Sequence, residues 1–288
     1  NCRYMLLYSK DLLHWEEGQV ISLHTAAECP DLFFLPLDGD LSQGKWVLWG
    51  STDTYMVGRF EGRQFVPETD PIPGPTHQLY SAYSNFARSP GGYAAQTFTG
   101  LPEGRVVQFS WIRTRLEQGP FSSCMSVPNQ LGLTMTDQGP RLTVQPVKEV
   151  ETLWENSFSF VDRGLEEIER IPSSYLGEAM DMTFRLGIKP HKLIALSVRG
   201  VLIVYEPDSG RLILPTGAYD LGPQGDTLEL RVITDRCSVE IYSDGGLFNT
   251  SIATVLDPSN IKVFPVYLDS GITVDFEIHK LKSMWDRV

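Results

Sequence analysis

The feature that most limits what this chain can fold into is the rhythm of its turns. Apolar runs are short and are cut by turn residues at about 8–12-residue intervals, the spacing of all-β folds. Runs at 31–37, 45–50, 55–60 and 64–67 are separated by Asp38-Gly39, Gly50 and Glu61-Gly62. Four strands in sequence make one small antiparallel sheet, the unit of a propeller blade. With 25 Gly and 19 Pro in 288 residues, and 42% hydrophobic residues, the composition is that of a globular chain with many turns.

The pattern loosens over residues 69–92, a Pro-, Ser- and Tyr-rich connection of the kind that lines binding sites. It resumes at 93–98, 105–112, 125–133 and 141–144. Val147, Val150 and Trp154 have helical spacing and predict a short connector. From about Asn156 the texture becomes evenly spaced strands, at 179–188, 192–198, 201–206, 227–234, 238–243, 248–255 and 273–280, with no helix of any length between them. That count and spacing fit a β-sandwich. The expected organisation is all-β, with a propeller-type domain over 1–145, a linker over 146–156 and a sandwich over 157–288.

The balance of 24 Lys+Arg against 36 Asp+Glu gives a net charge of −12 and excludes a nucleic-acid-binding surface. No apolar stretch approaches the ~20 residues that cross a bilayer, so no membrane partner is expected. Cys2, Cys29, Cys124 and Cys237 are widely scattered, which favours free thiols over a disulfide framework and gives no metal signature. Free thiols tilt the compartment toward the cytoplasm. Residues 3–9 already read as the middle of a strand, so the true N-terminus, and any export signal, is expected upstream of Asn1.

The chemistry-bearing stretch is Glu28-Cys29-Pro30-Asp31, which presents a carboxylate at the mouth of an apolar strand. Asp31 reads as turn chemistry or as a hydrogen-bonding partner of the site, and His24 as a loop residue. Cys29 reads either as a partly desolvated wall that modulates the Glu28 pKa or as a buried structural thiol. Aromatic faces stack on the apolar side of a ligand and amides bond to its polar groups. Trp49, Tyr55, Tyr93, Gln96 and Trp111 are therefore the candidate substrate-binding residues, with Tyr80, Tyr83 and Asn85 at the rim.

Several ordered motifs resemble glycoside hydrolase family 32, the enzymes related to invertase, levanase, inulinase and sucrose-6-phosphate hydrolase. Glu28-Cys29-Pro30-Asp31 resembles that family's acid/base signature, and Ser9-Lys10-Asp11-Leu12 with Trp15 the turn that precedes it. Tyr55-Met56-Val57-Gly58-Arg59-Phe60 resembles the following hairpin. Tyr93-Ala94-Ala95-Gln96-Thr97-Phe98, Gly104-Arg105 with Trp111, and Met125-Ser126-Val127-Pro128 follow in the family's order. Asp235-Arg236-Cys237-Ser238-Val239-Glu240-Ile241-Tyr242 resembles the signature of its C-terminal sandwich, where Asp235 and Glu240 are expected to be structural.

The resemblance implies a partial five-bladed β-propeller followed by a C-terminal β-sandwich. It also implies a β-fructofuranosidase-like hydrolase acting on sucrose, inulin or levan, with Glu28 as the acid/base of a retaining mechanism and no metal or organic cofactor. Sister families of five-bladed propeller enzymes lack the Glu-Cys-Pro signature. The family's nucleophile is the Asp of an Asn-Asp-Pro-Asn segment and a further Asp lies in an Arg-Asp-Pro segment; neither segment occurs here. By this comparison the chain starts partway through the second blade. The alternative is an inactive sugar-binding or interaction relative. An incomplete propeller leaves strand edges unpaired, which a second copy of the chain would cover in a homo-oligomer.

Overall fold

The computed structural model describes residues 2–23, 28–51, 54–74, 89–90, 92–114, 122–189, 193–222, 224–267 and 271–285. His24, Tyr80, Tyr83 and Asn85 lie outside them. Among the described residues the strands form four sheets.

The largest sheet holds two antiparallel meanders. The first runs Asp31–Leu37, Asp40–Gly50, Thr54–Glu61 and Gln64–Pro67. Its first hairpin turns on Asp38 and Gly39, both at positive φ (50° and 81°), the backbone that a two-residue Asp-Gly loop supplies. The second meander contains Tyr93–Phe98, Val106–Ile112, Asn129–Thr136 and Gly139–Pro146. One parallel pairing, Leu133 with Leu37, joins the two. The Asp38 turn locks this junction, because its N–H donates to Leu133 O (2.9 Å) and its carboxylate accepts from Thr134 Oγ1 (2.6 Å).

Period-two alternation decides which side chains fill the core between the meanders. Phe33, Leu35, Val47, Trp49, Tyr55 and Val57 from the first meet Ala95, Val106, Leu131, Leu133, Leu142 and Val144 from the second. The opposite face of the first meander buries Leu48, Met56 and Phe65 against Tyr4, Ile21 and Leu23. Those three belong to the hairpin of Cys2–Tyr8 with Glu16–Leu23. The strand Glu16–Leu23 escapes a pattern search because its first half, Glu16-Glu17-Gly18-Gln19, is polar.

A seven-stranded and a five-stranded antiparallel sheet make up most of the second half and contribute to one core, with Met182, Phe184 and Val232 from one and Leu196, Ile203 and Tyr205 from the other. The strands Arg211–Leu214, Gly217–Asp220 and Val263–Tyr267 are too short or too proline-interrupted to announce themselves. Three short 3-10 segments also occur in this half where none was expected, Leu165–Arg170, Ser173–Tyr175 and Asp244–Gly246; the first places Leu165 and Ile168 on the core at three-residue spacing. The connector expected at 147–154 is a 3-10 helix at Lys148–Leu153.

The run expected at 125–133 is two strands, Cys124–Met125 and Asn129–Thr136. Between them Pro128 has no N–H, and the Val127 N–H leaves the sheet to donate to Glu240 Oε1 (2.8 Å) on the strand Ser238–Ser243. The Tyr242 hydroxyl lies 3.1 Å from Glu240 Oε2 and donates to Asn129 Oδ1 (2.8 Å). Glu240 is 1% exposed, and burial pushes its carboxyl up to about 7.

Candidate active site

Two segments meet at Glu28. The first is Glu28-Cys29-Pro30, exposed, with Cys29 at φ 45°. The second is the strand Tyr93–Phe98, and it is anchored by Asp31. Asp31 Oδ2 accepts from the Thr97 N–H (2.7 Å) and Oδ1 from the Leu32 N–H (2.9 Å). Desolvation pushes the Asp31 carboxyl up against these bonds. Asp31 is therefore a cross-strand clamp and not the solvated turn residue its position after proline suggests.

In the pairing of Tyr93–Phe98 with Val106–Ile112 the register slips between Phe109, opposite Gln96, and Trp111, opposite Tyr93. The extra residue lies between Tyr93 and Gln96, where Ala94 takes φ 53°. Such a bulge re-aims the side chain beside it. Here that side chain is Tyr93, whose hydroxyl donates to Glu28 Oε2. Three residues on, Gln96 Nε2 donates to the Cys29 carbonyl (3.2 Å) and to the Ala95 carbonyl (2.9 Å). Tyr93 and Gln96 thus hold the side chain of Glu28 and the backbone beside it from the same strand.

Trp111 stands across from Tyr93 and from Met125, forming one row of side chains on neighbouring strands. Its indole is 42% exposed and Met125 is exposed as well. The Arg113 guanidinium sits 5.3 Å from the Tyr93 ring centroid and 5.5 Å from that of Trp111. Cations over ring faces at this range are attracted by the ring quadrupole. The result is an open aromatic shelf with a positive charge, leading to a carboxyl held by a phenol. Arg113 was not singled out from the sequence; its signal is a basic residue two positions after a candidate tryptophan, on the same side of an extended strand.

Three expectations need correction. Trp49 and Tyr55 are 2% and 1% exposed, stacked on each other at 6.1 Å and 12° inside the propeller core, with no ring face left for a sugar. The Tyr55 hydroxyl accepts the Leu142 N–H (3.1 Å). Cys29 is exposed, so its thiol is neither a desolvated wall nor a buried structural group; its carbonyl is the part that makes a contact with the site.

The sequence profile of the Glycosyl hydrolases family 32 N-terminal domain matches residues 1–146, half of the chain. The chain belongs to family 32. A levanase of Bacillus subtilis is 26% identical over 98% of this chain and 47% of its own length. An extracellular exo-inulinase of Aspergillus niger is 25% identical over 90% of this chain and 55% of its own. The chain thus spans about half the length of these family 32 relatives. Among solved structures, exo-inulinase from Aspergillus awamori superposes with a TM-score of 0.74 at 21% identity, covering 98% of this chain and 63% of that one. Fructofuranosidase from Schwanniomyces occidentalis, complexed with fructose, gives 0.72 at 17% identity, over 98% and 66%. These likenesses show the fold, that of the five-bladed β-propeller enzymes of family 32. No described helix is long and apolar enough to cross a membrane.

Proposed function

We propose that the protein hydrolyses β-fructofuranosidic bonds of the sucrose, inulin or levan type, with Glu28 as the acid/base of a retaining mechanism. The observation that carries this reading is the Tyr93 hydroxyl on Glu28 beside the exposed Trp111 shelf. The names of the relatives, levanase and exo-inulinase, agree with it.

Cleavage through an oxocarbenium-like transition state needs two carboxyl groups, about 5–5.5 Å apart in retaining enzymes. Glu28 protonates the leaving glycosidic oxygen as a carboxylate attacks the anomeric carbon. In the second step the Glu28 carboxylate takes a proton from water, and that water displaces the enzyme carboxylate from the sugar. The nucleophilic half is assigned to no residue of this chain, which contains no Asn-Asp-Pro-Asn segment. Tyr93 orients Glu28, the Gln96 amide faces sugar hydroxyls, and the Trp111 ring stacks on the apolar side of the sugar. Residues 1–145 carry this chemistry, 146–156 link, and a sandwich over 157–288 supports them.

The test is fructose release from sucrose, inulin and levan by the full-length gene product and by the same protein carrying Glu28→Gln. Activity in the first and a loss of about 10²–10⁴-fold in the second supports the assignment. A full-length protein that binds a fructan and cleaves none of the three makes it a sugar-binding relative instead.

A further inference from the structure

On the inner side of the Trp111 row, two thiols separated by 113 residues of sequence stand 3.5 Å apart, Sγ to Sγ. Cys124 lies on the strand Cys124–Met125, opposite Ile112. Alternation sends Met125 outward to the Trp111 row and Cys124 inward, beside an Ile112 that is 0% exposed. Cys237 is 4% exposed and occupies the turn that leads into Ser238–Ser243.

Both cysteines are held from several sides. The Cys237 carbonyl accepts from the Thr254 N–H (3.1 Å), and the turn closes through the Asp235 N–H on Ser238 O (3.0 Å). The buried Arg199 guanidinium donates to the Asp235 carbonyl (3.0 Å) and to three other backbone carbonyls, those of Glu178, Asn260 and Asp257. On the other side the Ser126 N–H donates to Ser110 O (2.9 Å), fixing the residues just after Cys124. A disulfide has an S–S distance of about 2.05 Å, so bond formation asks for a closure of about 1.5 Å.

We propose that Cys124 and Cys237 are a redox modification site, forming a reversible cystine that ties the strand beside the Trp111 row to the C-terminal sheets. Cys29, Cys124 and Cys237 are free thiols, as expected from the sequence; that two of them touch is not legible there, because spacing in sequence is blind to a contact made only by the fold. Cys124 is half-buried where Cys237 is buried, so Cys124 is the thiol that meets an outside oxidant and Cys237 the one that resolves it.

The oxidant is a small disulfide such as oxidised glutathione. Cys124 thiolate attacks one sulfur of that disulfide and expels one thiolate, leaving a mixed disulfide on Cys124. Cys237, losing its proton to the expelled thiolate, attacks the Cys124 sulfur and expels the second thiolate. Two protein thiols are oxidised and one disulfide is reduced to two thiols.

The experiment incubates the folded protein with oxidised glutathione, alkylates the remaining thiols, and maps the peptides by mass spectrometry, with a dithiothreitol-treated sample beside it. The expected result is a linked 124–237 peptide lighter by two hydrogens, and a thermal midpoint about 10 °C above that of the reduced protein, because a loop of this length is closed. Cys124→Ser should leave Cys237 alkylated and remove the oxidation-dependent shift. Alkylation of both cysteines in the folded oxidised protein, or glutathione persisting on either of them, overturns the proposal. The mapping on the unaltered protein decides the matter even if the variant does not fold.

Discussion

Replacing Glu240 with Gln tests how the buried contact between the two halves is charged. Protonated, Glu240 completes a chain in which the Val127 N–H donates to Oε1, the Glu240 Oε2–H donates to the Tyr242 hydroxyl, and Tyr242 donates to Asn129. Ionised, it is a buried anion with Asp235 adding a further unfavourable charge. In the unfolded chain the same carboxyl titrates at its ordinary 4.5, against about 7 in the fold. The folded state therefore binds the extra proton between these values, and stability falls as pH rises from 4.5 to about 7. At 1.36 kcal/mol for each pH unit of that window, the loss is about 3 kcal/mol. Gln keeps the acceptor for Val127 and donates to Tyr242 as the protonated acid does. Glu240→Gln should match the parent within about 1 kcal/mol near pH 4 and exceed it by about 3 kcal/mol near pH 8.5, a rise of roughly 6–12 °C in thermal midpoint. Thermal unfolding of both proteins at pH 4, 6 and 8.5 reads this directly. Parallel midpoints across the range, or a less stable variant at pH 8.5, would refute the reasoning and mean that the carboxylate is ionised and held by its donors.

Three further outcomes are expected. Tyr93→Phe removes the hydroxyl that orients Glu28 and should lower kcat by about 10–100-fold in steady-state assays of the full-length protein, with little change in thermal midpoint. Trp111→Ala removes a stacking face from an exposed position and should raise KM for inulin or levan about tenfold while kcat changes little. Asp181→Ala strands Arg231, whose guanidinium makes two bonds to that buried carboxylate (2.9 and 2.7 Å), and should cost about 3–5 kcal/mol in urea unfolding.

The blade-like meanders were legible because alternation and turn chemistry agree there. Asp38-Gly39 specifies its hairpin, and Phe33, Leu35, Val47 and Val57 specify the inward face. The same arithmetic puts Trp49 and Tyr55 inward with Val47 and Val57, so their burial could have been read from the sequence; chemical type outweighed position in choosing them. Glu28, Tyr93 and Gln96 were visible as residue types but not as a unit. What unites them is a bulge at Ala94 and a clamp at Asp31, and neither backbone irregularity nor cross-strand partner is written in local pattern. Arg113 and the Cys124–Cys237 pair were hidden for the same reason, since their neighbours come from other strands.

The two-residue strand Ser89–Pro90 pairs with the far edge strand Phe248–Ala253, with Pro90 opposite Ile252. A ribosome adding about 5–20 residues per second needs roughly 8–30 s to make the chain between those partners. During that interval the nascent first half is made but this edge has nothing to pair with, and Val127, Asn129 and Cys124 likewise wait for the strand Ser238–Ser243 and its preceding turn. Completion of the first half is thus timed by synthesis of the second, and a nascent chain arrested before residue 238 should hold its early sheet open to proteases and chaperones.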